Sequence, residues 1–116
     1  MSRDETLYLA DIQTCCEKVL KYTAGYTLKD LIDDERTFDA ILRNLEIIGE
    51  AVKHLSDETK IRHPKIKWRK IGDFRNIVAH EYFGGSDEIV WDIVENEIPP
   101  LLEQIEALLN EKTAGK

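Results

Sequence analysis

The chain has 116 residues, of which 42% are hydrophobic and 34% are charged. This length and composition predict a single globular domain over residues 1–116, and they exclude a disordered chain or a two-domain enzyme. The formal net charge of −7 argues against a general nucleic-acid-binding protein. The charge is unevenly distributed along the chain. Residues 60–70, here called the basic segment, hold six Lys or Arg and no acid. The rest of the chain is correspondingly more acidic.

Apolar residues recur with helical spacing from the beginning of the chain. They predict a first helix over residues 4–22, with Ser2 and Glu5 forming a capping box at its start. Thr27 and Asp30 form a second capping box before a short apolar stretch. Together, the apolar spacing and the two capping boxes predict one long and one short helix before residue 34.

The longest predicted helix covers residues 34–55. Its apolar stripe comprises Phe38, Ile41, Leu42, Leu45, Ile48, Val52 and Leu55. Gly49 lies inside this helix at a cost of about 1 kcal/mol relative to Ala, and a glycine there often lets another helix approach closely. Residues 56–60 are expected to be the frayed end of the same helix.

The second half of the chain is also helical in pattern. Trp68 begins one helical turn, Asp73 is a predicted N-cap, and a helix follows over residues 74–82. The last helix starts with Ser86 as its cap, and Pro99-Pro100 must kink or split it. Because no stretch alternates like a strand, we expect an all-α fold: an up-and-down bundle of four main helices plus short helical turns.

Cys15 and Cys16 are the only cysteines, and adjacent cysteines rarely pair with each other. They are expected to be core or boundary residues of a reduced, cytoplasmic protein. The N-terminal sequence has no long apolar run, so neither a secretory signal nor a membrane span is predicted.

One short helix gathers the residues that could carry chemistry. They are Arg75, Asn76, His80, Glu81 and Tyr82. Asn76 and His80 are four residues apart and share a helix face. Arg75 and His80 are five apart, which places them about 140° from each other around the axis. The pair can therefore act together if the helix ends near His80, if the arginine reaches around, or if both face a cleft between two subunits.

Each of these features also has a simpler interpretation. A single histidine is more often structural than catalytic, Tyr82 could only pack at a helix end, and the basic segment could be a solvated face. Three histidines and two adjacent cysteines do not provide the spaced ligands of a metal site. No glycine-rich phosphate loop is present, so neither a metal nor another cofactor is predicted.

The spacing Arg75-Asn76-x-x-x-His80-x-Tyr82 matches the R-x4-H-x-Y signature of the HepT-like proteins in the HEPN superfamily. The segment RNLEIIGEA, residues 43–51, also resembles that family's second conserved block. Trp68 before the motif, the glycine pair after it, and Trp91 followed by Ile98-Pro99 fit the same pattern. The resemblance covers nearly the whole chain and is therefore more specific than the short motif alone.

The resemblance implies a helical bundle that forms a homodimer, in which two R-x4-H motifs meet in one cleft. It implies a metal-independent endoribonuclease, the toxin of a toxin–antitoxin pair whose partner is a minimal nucleotidyltransferase. Arg75 and His80 would then be catalytic, and Asn76 a supporting polar residue. Tyr82 would be the residue that the partner adenylylates (AMPylation), which silences the nuclease.

These residue types suit metal-free RNA cleavage, in which the 2′-hydroxyl of the substrate is the nucleophile. An imidazole titrates near neutrality, and a guanidinium is a permanent cation for the charge that develops on phosphorus. Lys65, Lys67 and Arg69 of the basic segment are expected to orient RNA, although they could instead dock a partner.

Two other functions remain open at this point. The chain could be a non-catalytic interaction subunit that presents a substrate to the nucleotidyltransferase. It could also be a nucleotide-binding regulator, in which Arg75 and His80 hold a phosphate without cleaving anything. Cleavage of RNA by the isolated protein would distinguish the first function from these two.

Overall fold

Helices form nearly all of the structure, a computed structural model that describes residues 4–82, 84, 85 and 87–114, with the backbone alone at residues 82, 113 and 114. The helices are α1 (Glu5–Tyr22), α2 (Leu28–Asp33), α3 (Glu35–Lys53), α4 (Asp57–Arg62), α5 (Trp68–Gly72), α6 (Phe74–Tyr82), α7 (Asp87–Asp92) and α8 (Ile98–Ala114). A π-helical turn, Ile93–Glu97, joins α7 to α8. No strand occurs in these ranges, so the predicted all-α fold is confirmed.

The long helix α3 is the centre of the bundle. It packs against α1 on one side and against α5 and α6 on another, while α1 also packs along α8. The predicted stripe of α3 is buried from Ile41 to Leu55, and Phe38 packs partly buried at its edge. Within the described part of the chain, no helix has both the length and the apolar character needed to cross a membrane.

The start of α1 differs from the prediction. Its N-cap is Asp4, whose carboxylate accepts a hydrogen bond from the backbone N–H of Thr6 at 2.8 Å. Ser2, the predicted cap, lies outside the described residues. The second capping box is confirmed: Thr27 and Asp30 exchange both expected hydrogen bonds at the start of α2.

The prediction of a frayed end after α3 is wrong. Ser56 is instead the N-cap of the separate helix α4, and its hydroxyl accepts a hydrogen bond from the Thr59 backbone N–H. Glu5 of α1 then accepts hydrogen bonds from the Ser56 N–H at 2.6 Å and from the Thr59 hydroxyl at 2.8 Å. The cap and this contact between distant parts of the chain hold the segment in a defined helix.

The predicted kink or split at Pro99-Pro100 takes the form of a π-helical turn inside a continuous helical run, residues 87–114. The two prolines lie in the first turn of α8, where neither proline can donate an N–H to a carbonyl of the preceding turn. The π-helical turn precedes them, and the Ile98 N–H bonds to the carbonyl of Ile93, five residues back. Ser86, the predicted cap of this region, lies outside the described residues.

Gly49 brings α3 into close contact with the junction of α5 and α6. A Cβ atom at Gly49 would lie 3.1 Å from Cγ of Arg75 and 3.2 Å from both the Arg75 N and the Gly72 O atoms. The expectation that this glycine permits a close approach is thus confirmed. It also places Arg75 directly against α3.

Candidate functional site

Two buried residues fix the orientation of α6. Phe74 is fully buried and Val78 is 3% exposed, so both anchor the helix to the core. Arg75, Asn76 and His80 are consequently exposed at the surface. None of these three predicted site residues is part of the hydrophobic core.

Arg75 lies beside a hollow of about 320 Å³ between α1, α3 and α6. Its Nη1 atom is 2.6 Å from Oε2 of Glu50 on α3, and 44% of its side chain is exposed. The guanidinium is therefore held by one carboxylate but remains open to solvent on its other side. A fixed, partly open cation of this kind is suited to binding phosphate.

Three further residues of this hollow did not emerge from sequence reasoning as site residues. Nε2 of His54 lies 3.3 Å from Oε1 of Glu50, and the His54 ring stacks on Tyr8 with centroids 4.7 Å apart. The four-residue spacing of Glu50 and His54 was the available signal in the sequence. Their link to Arg75 and Tyr8 depends on packing between three helices, which the sequence does not reveal.

His80 lies beside a second hollow, of about 250 Å³, which Asp73, Asn76 and Glu81 also line. The Asn76 amide donates a hydrogen bond to the Asp73 carboxylate at 2.6 Å. Burial, together with a hydrogen bond and charge repulsion from Asp87, raises the pKa of Glu81 to about 7. Glu81 is thus partly protonated near neutral pH, which reduces the negative charge beside His80.

Arg75 and His80 do not line the same hollow. This agrees with their five-residue spacing along one helix. Asn76 shares the hollow of His80, as its four-residue spacing predicts. Within one copy of the chain, α6 therefore presents the guanidinium and the imidazole to different parts of the surface.

The structure separates the three predicted RNA-binding residues. Lys67 and Arg69 lie near Trp68 and Asp73. Lys65 instead lines a hollow formed with α8, beside Glu111. Only Arg69 of the three also borders the surface next to Asn76.

Two other expectations bear on the site. Tyr82 is the last residue of α6, and its side chain lies outside the described part of the chain. Among the described residues, no group of three or more His, Cys, Asp or Glu lies close enough together to hold a metal ion.

Comparison with known proteins gives the class of this molecule. Residues 12–108 match the family model described as ribonuclease HepT-like. The chain is 36% identical to the probable ribonuclease HepT of Thermococcus cleftensis, over 93% of this chain and 98% of that protein. It is 37% identical to a candidate RNase of Caldanaerobacter subterraneus, over 90% of this chain and 94% of that protein. A candidate RNase of Methanocaldococcus jannaschii is 33% identical, over 94% and 90%.

No solved structure matches the chain. The family match nevertheless covers most of its length, and it includes the whole R-x4-H-x-Y segment. The chain belongs to the ribonuclease HepT-like family, and its enzyme class is that of an endoribonuclease. The resemblance inferred from the sequence is thereby confirmed.

Proposed function

We propose that the chain is a metal-independent endoribonuclease toxin that cleaves RNA in a cleft between two subunits. A partner nucleotidyltransferase, acting as antitoxin, silences it by adenylylating Tyr82. The observation that carries the proposal is the placement of Arg75 and His80, which α6 holds at the surface while its opposite face is buried. The protein would act in the cytoplasm, where RNA and a nucleotide-dependent partner are both present.

The proposed reaction is an internal transesterification. His80 accepts the proton of the substrate 2′-hydroxyl, and that oxygen forms a bond to phosphorus as the P–O5′ bond breaks. The partner subunit's His80 donates a proton to the leaving 5′-oxygen, which yields a 2′,3′-cyclic phosphate and a 5′-hydroxyl. Arg75 stabilises the extra negative charge on the phosphorane.

The separation of Arg75 and His80 supports a site built from two subunits. Each copy presents the two groups to different hollows, so a second copy facing α6 is the simplest way to surround one phosphate with both. The exposure of both side chains leaves them available for such a contact.

Cleavage by the purified protein tests this proposal. Arg75→Ala and His80→Ala should each lower the rate at least about 100-fold, because each removes a group that acts in the transition state. The matched controls are Arg62→Ala and His63→Ala, which lie outside the hollows of Arg75 and His80 and should cleave like the wild type. Unchanged cleavage by His80→Ala contradicts the mechanism, and RNA left intact by the wild type favours the non-catalytic interaction subunit.

Adenylylation of Tyr82 would place a negative phosphodiester and a nucleoside two residues after His80. The added phosphate would compete with the RNA phosphate for the cations of the site. After co-expression with the cognate nucleotidyltransferase, we expect the intact mass to rise by one or more AMP units and cleavage to be lost. Tyr82→Phe should remain unmodified and active, whereas full activity of a modified sample would contradict this regulation.

A further inference from the structure

A cationic hollow of about 450 Å³ lies where four helices meet, next to the hollow of His80. Its charged and polar lining is Lys53, Lys60, Trp68, Arg69, Asp73 and Asn76. Lys53 ends α3, Lys60 lies in α4, and Arg69 lies in α5. The fold thus brings together one lysine from outside the basic segment and two cations from within it. We call this hollow the phosphate groove.

Among the described residues, the three cations of the phosphate groove have no counterion within ion-pair distance. Lys53, Lys60 and Arg69 form no ion pair with a carboxylate in the described part of the chain. Other cations of the basic segment do form one: Lys70 pairs with Glu97 at 2.8 Å, and Arg62 pairs with Glu58 at 2.8 Å.

The only acid lining the groove, within the described chain, is Asp73. Its carboxylate already accepts the Asn76 amide. Three cations against one carboxylate leave an uncompensated positive charge that favours an anionic ligand.

The phosphate groove leads to His80. Asp73 and Asn76 line both the groove and the hollow that contains His80, so the two are adjacent. On the other side, Trp68 and Arg69 also border the surface of Lys67. A linear polymer lying in the groove can therefore continue from the basic segment to the imidazole of His80 without leaving the surface.

Trp68 favours a nucleic acid over other polyanions. Its indole Nε1 donates a hydrogen bond to the His63 carbonyl at 3.0 Å, which fixes the ring orientation. The ring is half-buried and packs partly on the core, yet it lines the groove. A fixed aromatic ring between cations is the arrangement in which a nucleobase stacks while its phosphates are bound.

We propose that the phosphate groove binds the sugar-phosphate backbone of single-stranded RNA, with Trp68 stacking on a base, and leads the strand to His80. This inference rests on the proposed function, because it takes RNA as the substrate. It differs from the prediction based on Lys65 and Lys67 in assigning binding to Lys53, Lys60 and Arg69. Lys65, on the α8 side, has no part in it.

The test measures binding separately from cleavage. A fluorescently labelled single-stranded RNA is titrated with the His80→Ala protein, which keeps the RNA intact, at several salt concentrations. The triple variant Lys53→Gln, Lys60→Gln, Arg69→Gln is compared with the control Lys18→Gln, Lys21→Gln, Arg36→Gln. The control removes the same charge from exposed positions outside the groove.

We expect the groove variant to bind at least about tenfold more weakly at 0.1 M salt, with a salt slope smaller by about 2. The control should bind like its parent. Equal losses in both variants, or no loss in the groove variant, overturn the proposal. So does preferential competition by polyglutamate over unlabelled RNA, because it would indicate an acidic protein as the ligand.

The proposed stacking on Trp68 is measured by the fluorescence of this residue. The chain has two tryptophans, so Trp91→Phe leaves Trp68 as the sole one. RNA should quench its emission, and an unchanged emission at saturating RNA contradicts stacking.

The two proposals can fail separately. If the wild type cleaves RNA while the groove variant binds normally, the groove assignment is wrong and the nuclease stands. If RNA binds in the groove but the wild type never cleaves it, the nuclease is wrong and the groove stands.

Discussion

Glu50 joins Arg75 to His54 where α3 crosses α6. Its two carboxylate oxygens are used separately: Oε2 contacts the Arg75 guanidinium and Oε1 contacts the His54 ring. Both side chains of the Arg75–Glu50 pair are about half exposed, so the pair contributes at most about 1 kcal/mol to stability. Its importance is therefore in orientation, since it holds one face of the guanidinium and leaves the rest accessible.

Glu50→Gln should consequently impair cleavage more than folding. The neutral amide binds the guanidinium less strongly, and a small displacement of a group that acts in the transition state has a large effect on rate. We expect kcat to fall about tenfold with little change in KM and in the melting temperature. Steady-state kinetics and thermal unfolding measure these effects.

The control for Glu50→Gln is Glu46→Gln. Glu46 lies on the same helix and lines the same hollow, but it pairs with Arg43 at 2.7 Å instead of with Arg75. The control removes the same charge and should keep the wild-type kcat. Equal rates for the two variants would show that Glu50 does not position Arg75.

The sequence predicted the site only in part, for a physical reason. Local spacing along one helix predicts that Asn76 shares a face with His80 and that Arg75 lies about 140° from His80 around the axis, and the structure agrees with this geometry. Tyr8 and Glu50 meet in the Arg75 hollow only because α1 and α3 pack together. Such a pairing depends on the relative rotation of two helices, which apolar periodicity restricts but does not specify.

The contact between α3 and the α5–α6 junction depends on Gly49. Alanine at this position gains up to about 1 kcal/mol of helix propensity. Its Cβ would, however, lie 3.2 Å from the backbone atoms Arg75 N and Gly72 O, which cannot move without shifting the α5–α6 junction. Strain of this kind costs about 1–3 kcal/mol, so the strain exceeds the gain.

Gly49→Ala should therefore lower the melting temperature by several degrees and reduce cleavage by displacing Arg75. Gly72→Ala is the matched control, because a Cβ there meets only Cγ1 of Val52, at an ordinary 3.7 Å. The control should unfold at or above the wild-type temperature. Calorimetry of both variants measures their melting temperatures, and equal stability would show that α6 can shift freely.

Whether a predicted element is confirmed depends on how local its stabilising contacts are. The stripe of α3 and the Thr27–Asp30 capping box are local patterns, and the structure has both. Helix α4 was missed because part of what holds it comes from Glu5, 51 residues earlier in the chain. The prolines predicted a break but not its form, since a π-helical turn depends on how the two halves of the helix pack.

The uneven distribution of charge over the molecule is consistent with an RNA strand that binds along one path. The net charge is −7, yet the phosphate groove holds three cations without partner carboxylates in the described chain. An acidic surround repels RNA elsewhere, while the groove attracts it toward α6. Binding by the whole molecule is accordingly expected to be strongly sensitive to salt.

A cleft shared by two subunits makes a specific prediction for mixed dimers. The wild type should sediment as a dimer, and a heterodimer of wild-type and His80→Ala subunits, purified through two different tags, can be assayed directly. If one imidazole acts as base and the other as acid, the loss of either disables the whole cleft. The heterodimer should then retain far less than half of the wild-type rate.

The matching heterodimer with His63→Ala should keep the full rate, since His63 lies in the hollow beside α8. A rate near half for the His80→Ala heterodimer would mean that each subunit cleaves independently. In that case the exposed arginine and histidine of one α6 must reach the same phosphate from their two separate hollows. A protein that sediments as a monomer and still cleaves RNA would lead to the same conclusion.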